Sequence, residues 1–222
     1  LRLIKCDVAD DSDIKQLMNY FFNKAVHWDI FMSCVGNLRP LTGFFQSKFN
    51  DWQKSVDINA ISQLRILHGI YPLRNKKGIS NAVFFAGGGV NSAVLDMSAY
   101  TVSKIMLIKM CEILDAECPD LNIFAVGPGW TKTKIHNHVF SGSDVSAQKR
   151  KETSDFLQNE KSTSLSDIYK CIMWLINAGR KISGGRNFSV VHDPWKGKSR
   201  TKLIQELERD PNKYKLRRYK ND

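Results

Sequence analysis

The sequence has no long apolar run. The stretch at residues 82–86 is typical of its longest, whereas a membrane-crossing helix needs roughly 20 such positions. Its five cysteines, at 6, 34, 111, 118 and 171, form no C-x-x-C pair and have no neighbouring histidine at metal spacing. That excludes a zinc ribbon and a disulfide framework. Most of them lie in apolar runs, where a free thiol behaves as a small hydrophobe, and a reducing, cytoplasmic compartment is expected. No zinc finger, basic zipper or aromatic RNA-binding signature is present, so a nucleic-acid partner is not expected. There is no internal repeat, no low-complexity tract and no linker that divides the chain.

What is present is ordinary for a folded domain: 42% hydrophobic, 10% aromatic and 25% charged residues in 222. The formal charge of +11 is unevenly placed. Residues 196–222 carry ten basic and four acidic side chains, so +6 of it sits in a C-terminal tail. Such a tail either binds phosphates or another anion, or is a solvated and partly helical segment that aids solubility.

Short apolar runs alternate with segments of helical period. Strands are predicted at 1–6, 28–34, 79–86, 121–126 and 186–191. Helices are predicted after a cap at Asp11 or Ser12, over about 48–73, over 99–118 and over 164–178. The strands are continuously apolar, which indicates parallel strands buried on both faces by helices. The fold class is α/β, in one domain over 1–195. In open sheets of this kind ligands bind beyond the carboxyl ends of the strands, so the loops after Cys34, Ala86 and Val126 should build the site.

Tyr100 and Lys104 stand four residues apart on the helix after the third predicted strand, 79–86, so they share one face. A phenol near pKa 10 is a poor proton donor or acceptor at neutral pH, and a nearby ammonium favours the phenolate. The bare Y-x-x-x-K spacing is equally that of an exposed helix face. Its surroundings are more specific. Ser98-Ala99-Tyr100-Thr101-Val102-Ser103-Lys104 resembles the active-site helix of the short-chain dehydrogenase/reductase family. Four further segments match in order: Cys6-Asp7-Val8, Ser33-Cys34-Val35-Gly36, Asp57-Ile58-Asn59-Ala60 and Pro128-Gly129-Trp130-Thr131-Lys132-Thr133.

The resemblance implies a Rossmann-like doubly wound sheet and an NAD(P)-dependent oxidoreductase that interconverts a carbonyl and an alcohol. Tyr100 would be the acid/base, Lys104 would bind the nicotinamide ribose and lower the Tyr100 pKa, and Asn59 would extend a proton relay. Asn59 read alone is a helix-kinking polar residue, which does not exclude that role. Asp7 and Val8 would flank the adenine, although Asp7 is equally a turn or cap residue. Cys34, Val35 and Gly36 would line the cofactor. Pro128, Gly129, Thr131 and Thr133 would hold the nicotinamide. Trp130 would pack on the nicotinamide or substrate, or simply pack. No metal is expected: His136 and His138 lack a third ligand. Residues 134–160 read as a mobile lid rather than core.

Two departures stand out. The family's catalytic serine position is Gly87, with no hydroxyl at Ala86, Gly88 or Gly89; Ser92 is the nearest candidate, and backbone N–H groups of the glycine run are another. The family's T-G-x-x-x-G-x-G turn, which grips the pyrophosphate, is also missing. Asp7 normally lies about fifty to sixty residues into such a chain. The expectation is therefore a chain that opens at Leu1 without its first strand, helix and second strand. The end, from Gly185-Arg186-Asn187-Phe188-Ser189 through Asp193-Pro194-Trp195 to Tyr214-Lys215-Leu216-Arg217-Arg218, resembles the tails of family members from surface-polysaccharide gene clusters, which implies a sugar or nucleotide-sugar substrate. Homodimers or homotetramers are usual in the family. The alternative reading, motivated by both departures, is a non-catalytic NAD(P)-binding or regulatory protein on the same scaffold.

Overall fold

The computed structural model describes residues 1–141, 145–158 and 162–218. Helix α1 (Asp11–Asn23) is capped by Asp10, whose carboxylate accepts the Ser12 N–H at 2.7 Å. The cap thus falls one residue before the positions predicted, with Asp11 and Asp13 left in the first turn, where negative charge is favourable. Strand β1 (Ile30–Ser33) follows. The predicted helix over 48–73 is present but not continuous. It runs as α2 (Phe49–Val56), a π-helical turn at Asp57–Ile61 and α3 (Ser62–Ile70). Then come β2 (Ser80–Phe85), α4 (Ser98–Glu117) and β3 (Leu121–Gly127). The short α5 (Asn137–Phe140) and α6 (Ala147–Gln158) lead into α7 (Leu165–Ala178) and α8 (Arg180–Ser183). The described chain closes with β4 (Asn187–Ser189) and α9 (Ser199–Arg209).

Among the described residues the sheet has four parallel strands in the order β1-β2-β3-β4. Successive side chains of a strand point to opposite faces, and here both faces are covered. Ala82, Phe84, Ile123 and Ala125 pack with Leu67, Leu107, Ile108 and Cys111 on one side. Val83, Phe124, Val126 and Phe188 pack with Ile172, Leu175 and Leu203 on the other. This double burial is why the strands carry no polar alternation.

Residues 1–6 are a correction. They form no strand, and Leu1, Leu3 and Ile4 are exposed. An apolar run becomes a strand only when a neighbouring edge supplies its hydrogen bonds, and among the described residues this one pairs with none. β1 is itself an edge, with Ile30 and Met32 exposed on one face.

Residues 134–160 also depart from expectation. Val139 and Val145 are buried in a third cluster with Leu38, Leu41 and Met97, so this segment carries a small core of its own. Residues 142–144 and 159–160 of the expected lid lie outside the described part, as do 219–222 of the tail.

The basic segment after Trp195 is built onto the sheet. Leu203 and Leu207 are buried, and the Asn187 N–H donates to the Tyr214 carbonyl at 2.9 Å. Arg186, buried beside β4, donates to five carbonyl oxygens: Lys181 and Ile182 of α8, Leu207 at the end of α9, and Asp210 and Lys213 beyond it. A guanidinium thereby satisfies carbonyls that helix ends leave without partners. Arg186→Met is expected to cost about 3 kcal/mol, because several charge-assisted bonds are lost and their acceptors stay buried. Urea unfolding monitored by circular dichroism measures it, and a change below ~1 kcal/mol would contradict this account.

Candidate active site

The carboxyl ends of β1, β2 and β3 converge as the sheet order requires, and the segments after them bring most of the predicted residues together. Lys104 lies on α4, only 2% exposed, and its Nζ donates to the Val35 carbonyl at 3.0 Å. Tyr100 is one turn earlier on the same face, with the Lys104 ammonium 5.7 Å from its ring centroid. A Cβ placed on Gly87 would lie 2.7 Å from the Tyr100 ring and 3.0 Å from its hydroxyl. The tyrosine hydroxyl therefore occupies the space beside the bare end of β2. No side chain could stand at position 87 without the ring moving. Ser92 is exposed in the loop beyond.

The electrostatics differ from the simple ammonium–phenol picture. Burial raises the Tyr100 pKa above its ordinary 10, and Lys104 does not offset it. The reason is geometric: the ammonium is turned to the Val35 carbonyl. Burial also lowers the Lys104 pKa to about 8, with the Cys34 thiol opposing that shift. Burial in turn raises the Cys34 thiol, with Lys104 acting against it.

Asn59 sits in the π-helical turn, fully buried. Its Oδ1 accepts the Asn37 N–H at 2.8 Å, and its Nδ2 donates to the Asn37 carbonyl at 2.7 Å and to Ser55 Oγ at 3.1 Å. The extra residue of a π turn is what aims this amide at the segment after β1. Sequence reasoning missed two neighbours. Gln63, four residues on and fully buried, donates to the Asn59 carbonyl and accepts from Ser33 Oγ, both at 2.6 Å. Asn37 was missed as Asn59's partner. A lone glutamine on an apolar helical face was the available signal for the first; nothing in the sequence marked the second.

Cys34, Gly36, Thr133, Lys134, Ile135 and His138 line an open cleft of about 450 Å³. Gly36 is needed there, because a Cβ would meet Ile135 Cδ1 at 3.0 Å. Gly129 follows Pro128 with φ 74°, a conformation that favours glycine, and a Cβ on it would strike Val191 and Thr163 within 2.7 Å. Thr131 hydrogen-bonds back to the Gly129 carbonyl at 3.5 Å. Trp130 packs against His136 and, edge-on, Phe156, and stays 49% exposed. His136 and His138 turn to different backbone partners, the Thr131 carbonyl and the Leu38 N–H.

Asp7 and Val8 are placed apart from this group, at the turn into α1. The Asp7 carboxylate accepts the Ala9 N–H at 2.9 Å, and its own N–H donates to Asp13 at 2.7 Å. Those bonds are the turn role given above as one of two readings for Asp7.

Residues 1–190 match the family model described as enoyl-(acyl carrier protein) reductase. The chain belongs to the short-chain dehydrogenase/reductase family, a family of oxidoreductases. It is 26% identical over 161 residues to an uncharacterized oxidoreductase of Saccharomyces cerevisiae, covering 72% of this chain and 63% of that protein. The chain thus spans less than two thirds of that relative's length. The crystal structure of the same yeast short-chain dehydrogenase/reductase superposes with a TM-score of 0.72 at 24% identity, covering 85% of this chain and 75% of that one. A short-chain dehydrogenase of Francisella tularensis gives 0.70 at 19% identity, over 85% and 79% of the two chains. One from Shigella flexneri, in complex with NADP, gives 0.63 at 19%, over 86% and 73%. The fold is accordingly the Rossmann-like sheet of the family, shorter here at four strands among the described residues.

Proposed function

We propose that the protein is an NAD(P)-dependent oxidoreductase that interconverts a carbonyl and an alcohol, with Tyr100 as the acid/base. The observation that carries this is the position of the Tyr100 hydroxyl, beside the end of β2, with Lys104 one turn away and Asn59 anchored in the π turn. The cofactor fits the residues present at its nicotinamide end. Gly36 and Gly129 leave the cleft open where a Cβ would fill it or displace its wall, Thr133 lines it, and Thr131 is held beside Gly129. A pyrophosphate-gripping glycine turn is not found in the 222 residues. Asp7 and Val8 would flank the adenine, and NAD or NADP would be the cofactor.

When bound, the cofactor supplies or accepts the hydride. The chain's own residues do the rest. Tyr100 donates its phenolic proton to the substrate oxygen in reduction and withdraws it in oxidation. Lys104, released from the Val35 carbonyl, binds a ribose hydroxyl and makes phenolate less costly. Asn59 holds the segment after β1, and its amide marks the inner end of a proton path. Backbone N–H groups at Gly87–Gly89 stand where a hydroxyl-bearing side chain is absent, and they supply a donor to the oxygen.

A sugar or nucleotide-sugar is the proposed substrate, on the strength of the basic C-terminal segment. Homodimers or homotetramers are supported by exposed Phe45, Phe49 and Val102 on neighbouring elements, and a cytoplasmic setting by five free cysteines. The second reading, a non-catalytic NAD(P)-binding or regulatory protein, is favoured by Gly87, which leaves the substrate oxygen without a side-chain hydroxyl at that position. Turnover decides between them. Incubating the protein with NADH or NADPH and a panel of ketones and nucleotide-sugars should give loss of the reduced cofactor's near-ultraviolet absorbance. Binding of cofactor with no turnover on any substrate would favour the second reading.

A further inference from the structure

The segments that follow β1, β2 and β3 are sharply biased in charge. Residues 34–43 contain Arg39 and no acid, and residues 128–141 contain Lys132 and Lys134 and no acid. Between them, residues 86–97 contribute Asp96, which lies toward Gly43, its Oδ1 4.0 Å from where a Cβ there would stand. Lys134 and His138 both line the cleft, and among the described residues Lys134 pairs with no carboxylate. His138 accepts the Leu38 N–H through Nδ1 at 3.4 Å. In the neutral ring that leaves the proton on Nε2, a donor rather than an acceptor. Burial and the adjacent Arg39 both hold its pKa below the ordinary value. Arg39 donates one Nη to Ser141 Oγ at 2.8 Å, which ties the guanidinium to the end of α5. Lys134 and the His138 N–H donor thus line one cleft with no acid among its lining residues, and Arg39 stands beside His138.

We propose that Arg39, Lys134 and His138 form an anion-recognising lip, and that the molecule seated in the cleft presents a phosphate or diphosphate group to it. Phosphate oxygens match this set: they accept from a guanidinium, an ammonium and a neutral imidazole N–H together. The inference rests on the dehydrogenase reading for the cleft's role. Two molecules could bring the same group, the cofactor through its pyrophosphate or a phosphorylated substrate such as a nucleotide-sugar.

Calorimetric titration of the full chain with ADP, UDP, adenosine and NADPH separates the cases. Wild type should bind the diphosphates, with affinity that falls as salt is raised. Lys134→Gln and Arg39→Gln should each weaken diphosphate binding about tenfold and leave adenosine unchanged. Lys77→Gln, an exposed lysine at the amino end of β2, opposite the cleft, should change nothing. NADPH weakening in step with ADP assigns the lip to the cofactor. Weakening of UDP alone assigns it to the substrate. Diphosphate affinities equal in wild type and both variants, or no diphosphate binding by wild type, overturn the proposal. The dehydrogenase reading fails separately: a wild type that binds diphosphate through the lip but never oxidises NADPH or NADH with any carbonyl sinks that reading and leaves the lip standing.

Discussion

Tyr100→Phe is expected to lower turnover by about 10²–10⁴-fold, the usual contribution of a positioned general acid or base, while changing stability by less than ~0.5 kcal/mol. The two halves of this expectation have different origins. The ring fills space against the end of β2, and phenylalanine keeps that ring. The hydroxyl makes no hydrogen bond among the described residues, so its removal leaves no buried partner unsatisfied. Burial keeps the Tyr100 pKa above 10. The proton needed for reduction is therefore retained through neutral and mildly alkaline pH, and reduction should fade only toward the alkaline end. Oxidation, which uses the phenolate, should rise over the same interval. Steady-state rates in both directions, together with thermal melts of both proteins, test this. Unchanged turnover in the variant would remove Tyr100 from the mechanism.

Lys104→Met should make the protein more stable at pH 7 even as it abolishes activity. A lysine whose pKa falls from 10.5 unfolded to about 8 folded binds fewer protons in the folded state between those values. Stability must then rise as pH climbs from about 8 toward 10.5, and below pH 8 the whole cost of the buried charge is present. At 1.36 kcal/mol per pH unit that cost is about 3 kcal/mol. Methionine removes it, and leaves the Val35 carbonyl without the Lys104 donor, which costs about 1 kcal/mol. The net gain is about 2 kcal/mol at pH 7, shrinking as the pH nears 10. Urea unfolding of both proteins at several pH values from 6 to 10 measures the difference directly. A difference that stays constant across that range would mean that Lys104 is not the depressed group. Gain of stability with loss of function is what a site held against its folding preference should show.

Much of this was legible in the sequence, and the gaps have physical causes. The β2, α4, β3 and α7 elements fell within a residue or so of their predicted bounds, because continuous apolar runs and a 3.6-residue period both report burial directly. Residues 1–6 carry four apolar residues interrupted by Arg2 and Lys5, and a strand also needs a bonding edge, about which composition carries no information. The π turn was signalled only by Asn59 as a helix-kinking polar residue, because residues 57–61 otherwise continue the helical pattern. Motif order pointed to Cys34, Gly36 and Thr133, which line one cleft, and to Tyr100 and Lys104 on one face of α4, since each motif ends a strand or begins the helix after one. The Tyr100 pKa went the other way from expectation, because sequence spacing gives the proximity of an ammonium but not the carbonyl it prefers.

The pairing of Asn59 with both the N–H and the carbonyl of Asn37 has a consequence for how the cleft is encoded. A side-chain amide here behaves as a detached peptide unit, offering one donor and one acceptor at strand-like separation to a stretch of backbone that belongs to no sheet. Aspartate has the same shape but would turn an oxygen toward the Asn37 carbonyl. Leucine has comparable bulk but would leave both backbone groups unanswered. The path of the backbone at Asn37, beside the Cys34 and Gly36 wall of the cleft, is thus written in the chemistry of an amide on a helix about twenty residues downstream.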